Sequence, residues 1–106
     1  MKQYIIKRDN DVPIKFVGRL LADVSTLQSA QRNGHQRWCQ LRLFKTGKRG
    51  LYICQEIGHT RIEGEQNRYT AMICKTPEDI LAFFGNGWLA NKLYFEANLD
   101  MSTEVE

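Results

Sequence analysis

No apolar run in this chain of 106 residues approaches the ~20 that a membrane-crossing helix needs, so no such helix is expected. The opening stretch MKQYIIKRDND has neither the long apolar segment nor the small-residue cleavage site of a secretory leader, and a cytoplasmic location is the expectation. Cysteine is scarce and odd in number. Cys39, Cys54 and Cys74 lie in apolar, strand-like runs, unlike the even, loop-rich pattern of a disulfide scaffold, which predicts reduced, buried thiols. His35 with Cys39 and Cys54 with His59 form two ligand pairs on paper. Structural zinc, however, takes ligands on tight knuckles rather than from within strands, so no metal or cofactor is expected. Catalytic signatures are also missing: there is no GxSxG, no GxxxxGK[ST] and no HExxH. The one nucleophile pair to be weighed, Cys54 with His59, is disfavoured by the burial expected of Cys54. The chain reads as non-enzymatic.

What is present is enough apolar material for one core: 42% hydrophobic and 25% charged residues in a chain of ordinary domain length. The reading is a single domain over residues 1–98 followed by an acidic, flexible tail over 99–106. The net charge of +3 conceals an asymmetry. Residues 1–50 hold eleven Lys/Arg against three Asp, whereas residues 51–106 hold four against nine Asp/Glu. Such an imbalance points to a polyanionic partner or to an acidic part that shields a basic one. Interleaving of the two halves on folding would cancel it.

Hydrophobic period sets the fold class. Residues 2–8 form a short strand. From Ile14 to Val24 apolar residues recur at every second position, which predicts a long strand with one buried face, and Gly18 within it marks a bulge or the close approach of a neighbour. Residues 25–35 form a polar loop with one helical turn. RWCQLRLFKT and LYICQEI flank the turn GKRG, and HTRIEG with RYTAMICK make a shorter pair. The period then changes to helical. Thr76 is a natural N-cap, Pro77 suits the first helical position, and Glu78 and Asp79 complement the helix dipole. A second helix is expected from Trp88 to about Asn98. The expectation is an α+β fold: a curved antiparallel meander of five to six strands, with two C-terminal helices covering one face.

The basic turn raises the functional question. With Lys45 placed opposite Leu51, one face of the hairpin collects Leu41, Leu43, Ile53, Ile57 and Cys39. The other collects Trp38, Gln40, Arg42, Phe44, Tyr52, Cys54 and Glu56, joined by Lys15, Arg19 and Leu21 of the long strand. Aromatics interleaved with cations on an open sheet suit single-stranded nucleic acid, where bases stack on rings and cations track phosphates. The candidate site is therefore Arg19, Trp38, Arg42, Phe44, Lys45, Lys48, Arg49 and Tyr52. The favoured function is a binding module for nucleic acid acting through this face. The alternative is a protein-interaction module, either a homodimer or a small inhibitor or adaptor docking a larger host or phage defence complex. A charged turn that is merely solvated is the plain reading of Lys45, Lys48 and Arg49.

The ordered series FVGRLLA, RWCQLRLFKTGKRGLYI, RYTAMICKTPEDILAFFG and FEANLDM resembles the EXLDI-type small bacterial proteins. The likeness runs over most of the chain. The eponymous C-terminal motif is imperfect here, since two residues separate Glu96 from Leu99 and Met101 stands where isoleucine is expected. What the resemblance implies is a compact α+β module with an accessory role in mobile elements and no assigned catalytic residue.

Overall fold

The computed structural model describes residues 1–101; the expected acidic tail lies, beyond Met101, outside the described residues. Five strands form one antiparallel sheet in chain order: β1 (Lys2–Ile6), β2 (Ile14–Ser25), β3 (Arg37–Thr46), β4 (Tyr52–Thr60) and β5 (Arg68–Cys74). A short helix α1 (Leu27–Arg32) links β2 to β3, and α2 (Pro77–Phe84) and α3 (Trp88–Glu96) close the chain. His59 and Thr60 continue β4 instead of starting a strand of their own, so the sheet has five strands.

The end of β5 and the start of α2 follow from local chemistry. The Thr76 hydroxyl accepts from the Asp79 N–H while the Asp79 carboxylate accepts from the Thr76 N–H, a reciprocal cap with Pro77 at the first position. Gly85, at φ +79°, ends the helix where a side chain would be strained. Helix α3 lies against β2 and β3, and α2 against β4 and β5. Beneath them Ala22, Val24, Leu41, Leu43, Cys54, Cys74, Ile80, Ala90, Leu93 and Tyr94 make the larger core.

There is a second core. The sheet curls into a half-barrel, and its inner face buries Ile6, Ile14, Phe44, Ile53 and Ala71, with Tyr4 and Phe16 packed beside them. No helix contributes to this cluster; the curvature of the strands removes it from water. The turn after β1 fastens the curl, since the Asp9 N–H donates to the Tyr69 carbonyl and the Tyr69 N–H donates to the Asp9 carboxylate, each at 2.9 Å.

Two departures from the sequence reading produce this arrangement. First, Lys45 pairs with Tyr52, not Leu51. The Thr46 N–H donates to the Leu51 carbonyl and the Leu51 N–H to the Thr46 hydroxyl, closing a loop over Gly47 to Gly50 that is one residue longer than expected. The shift leaves β3 as expected but exchanges the faces of β4. Tyr52, Cys54 and Glu56 join Leu41 and Leu43 on the helix side, and Ile53, Gln55 and Ile57 join Phe44, Arg42 and Gln40 on the inner side. Second, β2 carries a bulge. Leu20 pairs with Phe44 and Ala22 with Leu43, leaving Leu21 as the extra residue. Before the bulge the buried Ile14 and partly buried Phe16 serve the inner core; after it Ala22 and Val24 serve the helix-covered core.

Candidate functional site

Trp38, Arg42 and Phe44 share the inner face of β3, but they are not free to receive a ligand. Phe44 is 0% exposed and packs on Tyr4 (ring centroids 4.8 Å) and Phe16 (5.4 Å). The Arg42 guanidinium lies 4.8 Å over the Phe44 ring, its Nε 3.4 Å from the Asp23 carboxylate and its Nη1 3.4 Å from the Gln55 carbonyl oxygen. Trp38 stacks on His59 at 5.0 Å with the rings 9° from parallel, and the Arg61 guanidinium sits 4.9 Å over the indole.

Gln40 connects these groups. Its amide N–H donates to Asp23 at 2.7 Å, which turns its oxygen toward His59 Nε2, also at 2.7 Å, so the imidazole must donate. Burial lowers the His59 pKa from its ordinary value, in keeping with a neutral ring held as a donor. The aromatic and polar row expected to form an open stacking platform is thus consumed by partners within the fold. Beside it, at the end of the half-barrel, an open cleft is lined by Arg37, Trp38, His59, Thr60, Glu65 and Arg68. Its strongest contact is internal too: Arg37 grips the Glu65 carboxylate with Nε and Nη2, and hydrogen bonds from Arg37 and Thr60 hold that carboxyl down at about 2.

The remaining candidates lie on the opposite face. Arg19 stands directly across from Lys45 in the β2–β3 pairing, and Lys45 lies 5.5 Å over the Tyr52 ring. Alternation along β2 puts Lys15 and Val17 on the same face as Arg19, and the loop beside Lys45 adds Lys48 and Arg49. Lys15, Arg19, Lys48 and Arg49 are exposed and Lys45 is half-buried. Among the described residues the salt bridges are Arg8–Asp11, Arg37–Glu65 and Arg42–Asp23, so none of these five cations is neutralised by one. Gly18 makes the juxtaposition possible, because a Cβ there would overlap the Lys45 carbonyl oxygen. The strands approach closely at the point where the two cations face each other.

The eight candidates therefore divide between the two sides of the sheet: Trp38, Arg42 and Phe44 inside, Arg19, Lys45 and Tyr52 outside, with Lys48 and Arg49 in the loop at the end of the hairpin. The reading placed Gln40 on this row but missed His59 and Gln55 as partners of it. The register shift hid these two, since they fall into place only once Trp38 is opposite His59 and Arg42 opposite Gln55, while Asp23 meets Arg42 across β2 and β3.

Cys54 and His59 lie on opposite faces of β4, so they form no nucleophile pair. Cys54 and Cys74 are free, fully buried thiols with their sulfurs 3.5 Å apart, and burial pushes both thiols up, away from the reactive thiolate. Cys39, half-buried beside Glu56, is pushed up to about 11 by desolvation.

No protein-family model, curated protein or solved structure matches the chain.

Proposed function

We propose that the protein is a non-catalytic binding module that holds the phosphate backbone of nucleic acid on the basic strip Lys15, Arg19, Lys45, Lys48 and Arg49. The observation that carries this reading is the placement of Arg19 opposite Lys45, with no ion pair to either among the described residues. Like charges directly opposed across a sheet destabilise it, and an anion lying over both removes the penalty. The same strip extends along β2 to Lys15, roughly 13 Å from Arg19 at the rise of an extended strand. The mode is backbone neutralisation. Base stacking is not part of it, because the rings that would supply it are engaged: Phe44 in the inner core, Trp38 by His59 and Arg61, Tyr52 by Lys45. Recognition of this kind is largely independent of sequence.

The test is a fluorescence-anisotropy titration with labelled mixed-sequence DNA, duplex and single-stranded, against the native protein and a variant carrying Arg19→Gln and Lys45→Gln. Saturable binding that drops by about tenfold in the variant supports the reading, each of the two lost phosphate contacts being worth about 0.7 kcal/mol at moderate salt. Equal binding by the two proteins contradicts it.

A protein partner is the second reading, favoured by α3. Trp88 (66% exposed) and Phe95 (86% exposed) are two helical turns apart on one outward side, and large exposed rings of this kind mark interaction surfaces. Replacing both by alanine leaves nucleic-acid affinity unchanged if the two surfaces are independent.

A further inference from the structure

We infer that the cleft beside the β3–β4 loop is a small-molecule site for an amphiphilic anion, a straight-chain carboxylate whose chain enters the cleft while its head stays at the rim. The cleft holds about 570 Å³. That lies within the roughly 300–1,000 Å³ usual for small-ligand sites. Met1, Phe16, Val17 and Leu51 give it an apolar wall. Val17 is 55% and Met1 79% exposed, so part of this wall stands in water. Lys48 and Arg49 also line the cleft; both are exposed, and neither forms a salt bridge among the described residues. No carboxylate of the described residues lines it. A neutral apolar ligand would leave the two cations unpaired, and a small hydrophilic anion would leave the wall wet. A molecule with one anionic end and one alkyl chain answers both.

Local structure keeps the cleft open. The Gly47 N–H donates to the Val17 carbonyl at 3.0 Å, and Thr46 closes the loop onto Leu51, which anchors the segment that carries Lys48 and Arg49. Gly47 has no side chain to fill the space, and a Cβ there would overlap the Met1 sulfur. The unbranched Met1 side chain therefore already lies against the loop where a linear chain is to be seated. The apolar wall is a concavity with exposed cations beside it, which suits one chain entering from solution. A bilayer surface would instead call for apolar groups that project beyond the cations. This site goes beyond the nucleic-acid reading and shares only Lys48 and Arg49 with the basic strip.

Isothermal titration calorimetry in the absence of nucleic acid tests it, with hexanoate, octanoate and decanoate below their micelle concentrations and decyltrimethylammonium as the cationic counterpart. The expected result is saturable binding of one decanoate per chain, tightening about two- to fourfold for each methylene added along the series, the worth of a methylene partly to fully buried. The cationic counterpart is expected not to bind. Lys48→Gln and Arg49→Gln together should weaken decanoate about five- to tenfold while leaving the dependence on chain length. Gly47→Leu, which fills the cleft, and Val17→Glu, which sets a carboxylate in its wall, should each remove that dependence. Val17 and Gly47 are exposed, and circular dichroism confirms the fold of each variant. No saturable binding of decanoate, equal binding of decyltrimethylammonium, or affinity untouched by these substitutions overturns the inference. Binding to phosphatidylglycerol vesicles without binding of free decanoate overturns it too, in favour of a membrane surface.

Discussion

Arg19 faces Lys45 across β2 and β3, two cations set side by side where Gly18 lets the strands approach closely. Replacing Arg19 with Glu turns a repulsive cross-strand pair into an attractive one. Thermal or urea unfolding should show Arg19→Glu more stable than the native chain by about 0.2–1 kcal/mol. Nucleic-acid affinity should move the other way. A substitution that raises stability while lowering binding separates a ligand site from a structural feature, because a purely structural cation pair gives only the first effect.

Phe44 belongs to the inner core. With Tyr4, Phe16 and Ile53 around a ring that is 0% exposed, Phe44→Ala should cost about 3–5 kcal/mol in chemical denaturation. Trp38, half-buried at the end of the same row, should be far more tolerant. Its replacement by alanine should leave nucleic-acid affinity within about twofold of native, since its ring is already stacked on His59 and makes no part of the basic strip.

The Arg37–Glu65 pair gives a pH signature. The folded-state pKa of Glu65, about 2, lies below its ordinary value near 4.5, so the pair's stabilisation is fully present above about pH 4.5 and is lost as pH falls toward 2. Carboxyl-carbon NMR titration should find the Glu65 midpoint well below the ordinary glutamate value. In Arg37→Ala the midpoint should rise, incompletely, because the Thr60 hydroxyl still donates to the carboxylate.

Thr76→Ala removes the acceptor for the Asp79 N–H and should destabilise the protein by about 1 kcal/mol, through α2 and the Ile80 contact that α2 brings to the larger core. The Asp79 carboxyl is lowered from its ordinary value, first by the Lys75 N–H, so part of the cap persists in mildly acidic solution.

The fold was legible where one local rule acted alone. Thr76, Pro77 and Asp79 announce the start of α2, and the strict alternation of Leu41 and Leu43 with Gln40 and Arg42 assigns the two faces of β3. It was illegible where both faces of a strand are buried. Ile53 and Cys54 are adjacent and both below 3% exposure, so apolar character cannot say which faces the helices, and the assignment depended on a loop length that one threonine hydroxyl decides. The bulge at Leu21 left no trace either, because alternation from Ile14 to Val24 runs through it unbroken while the buried side changes. The candidate site shared this fate. Most of its cations lie together with Tyr52 on one side of the sheet, whereas Trp38 and Phe44, the other two rings expected to accompany them, lie on the other side with Arg42.

Salt dependence tests the central claim most directly. If Lys15, Arg19, Lys45, Lys48 and Arg49 each neutralise one phosphate of duplex DNA, log K should fall with log salt at a slope of about −4.5. Removing Lys48 and Arg49 together by glutamine should flatten that slope to about −3. An affinity that does not change with salt, or a slope untouched by these substitutions, would contradict the account.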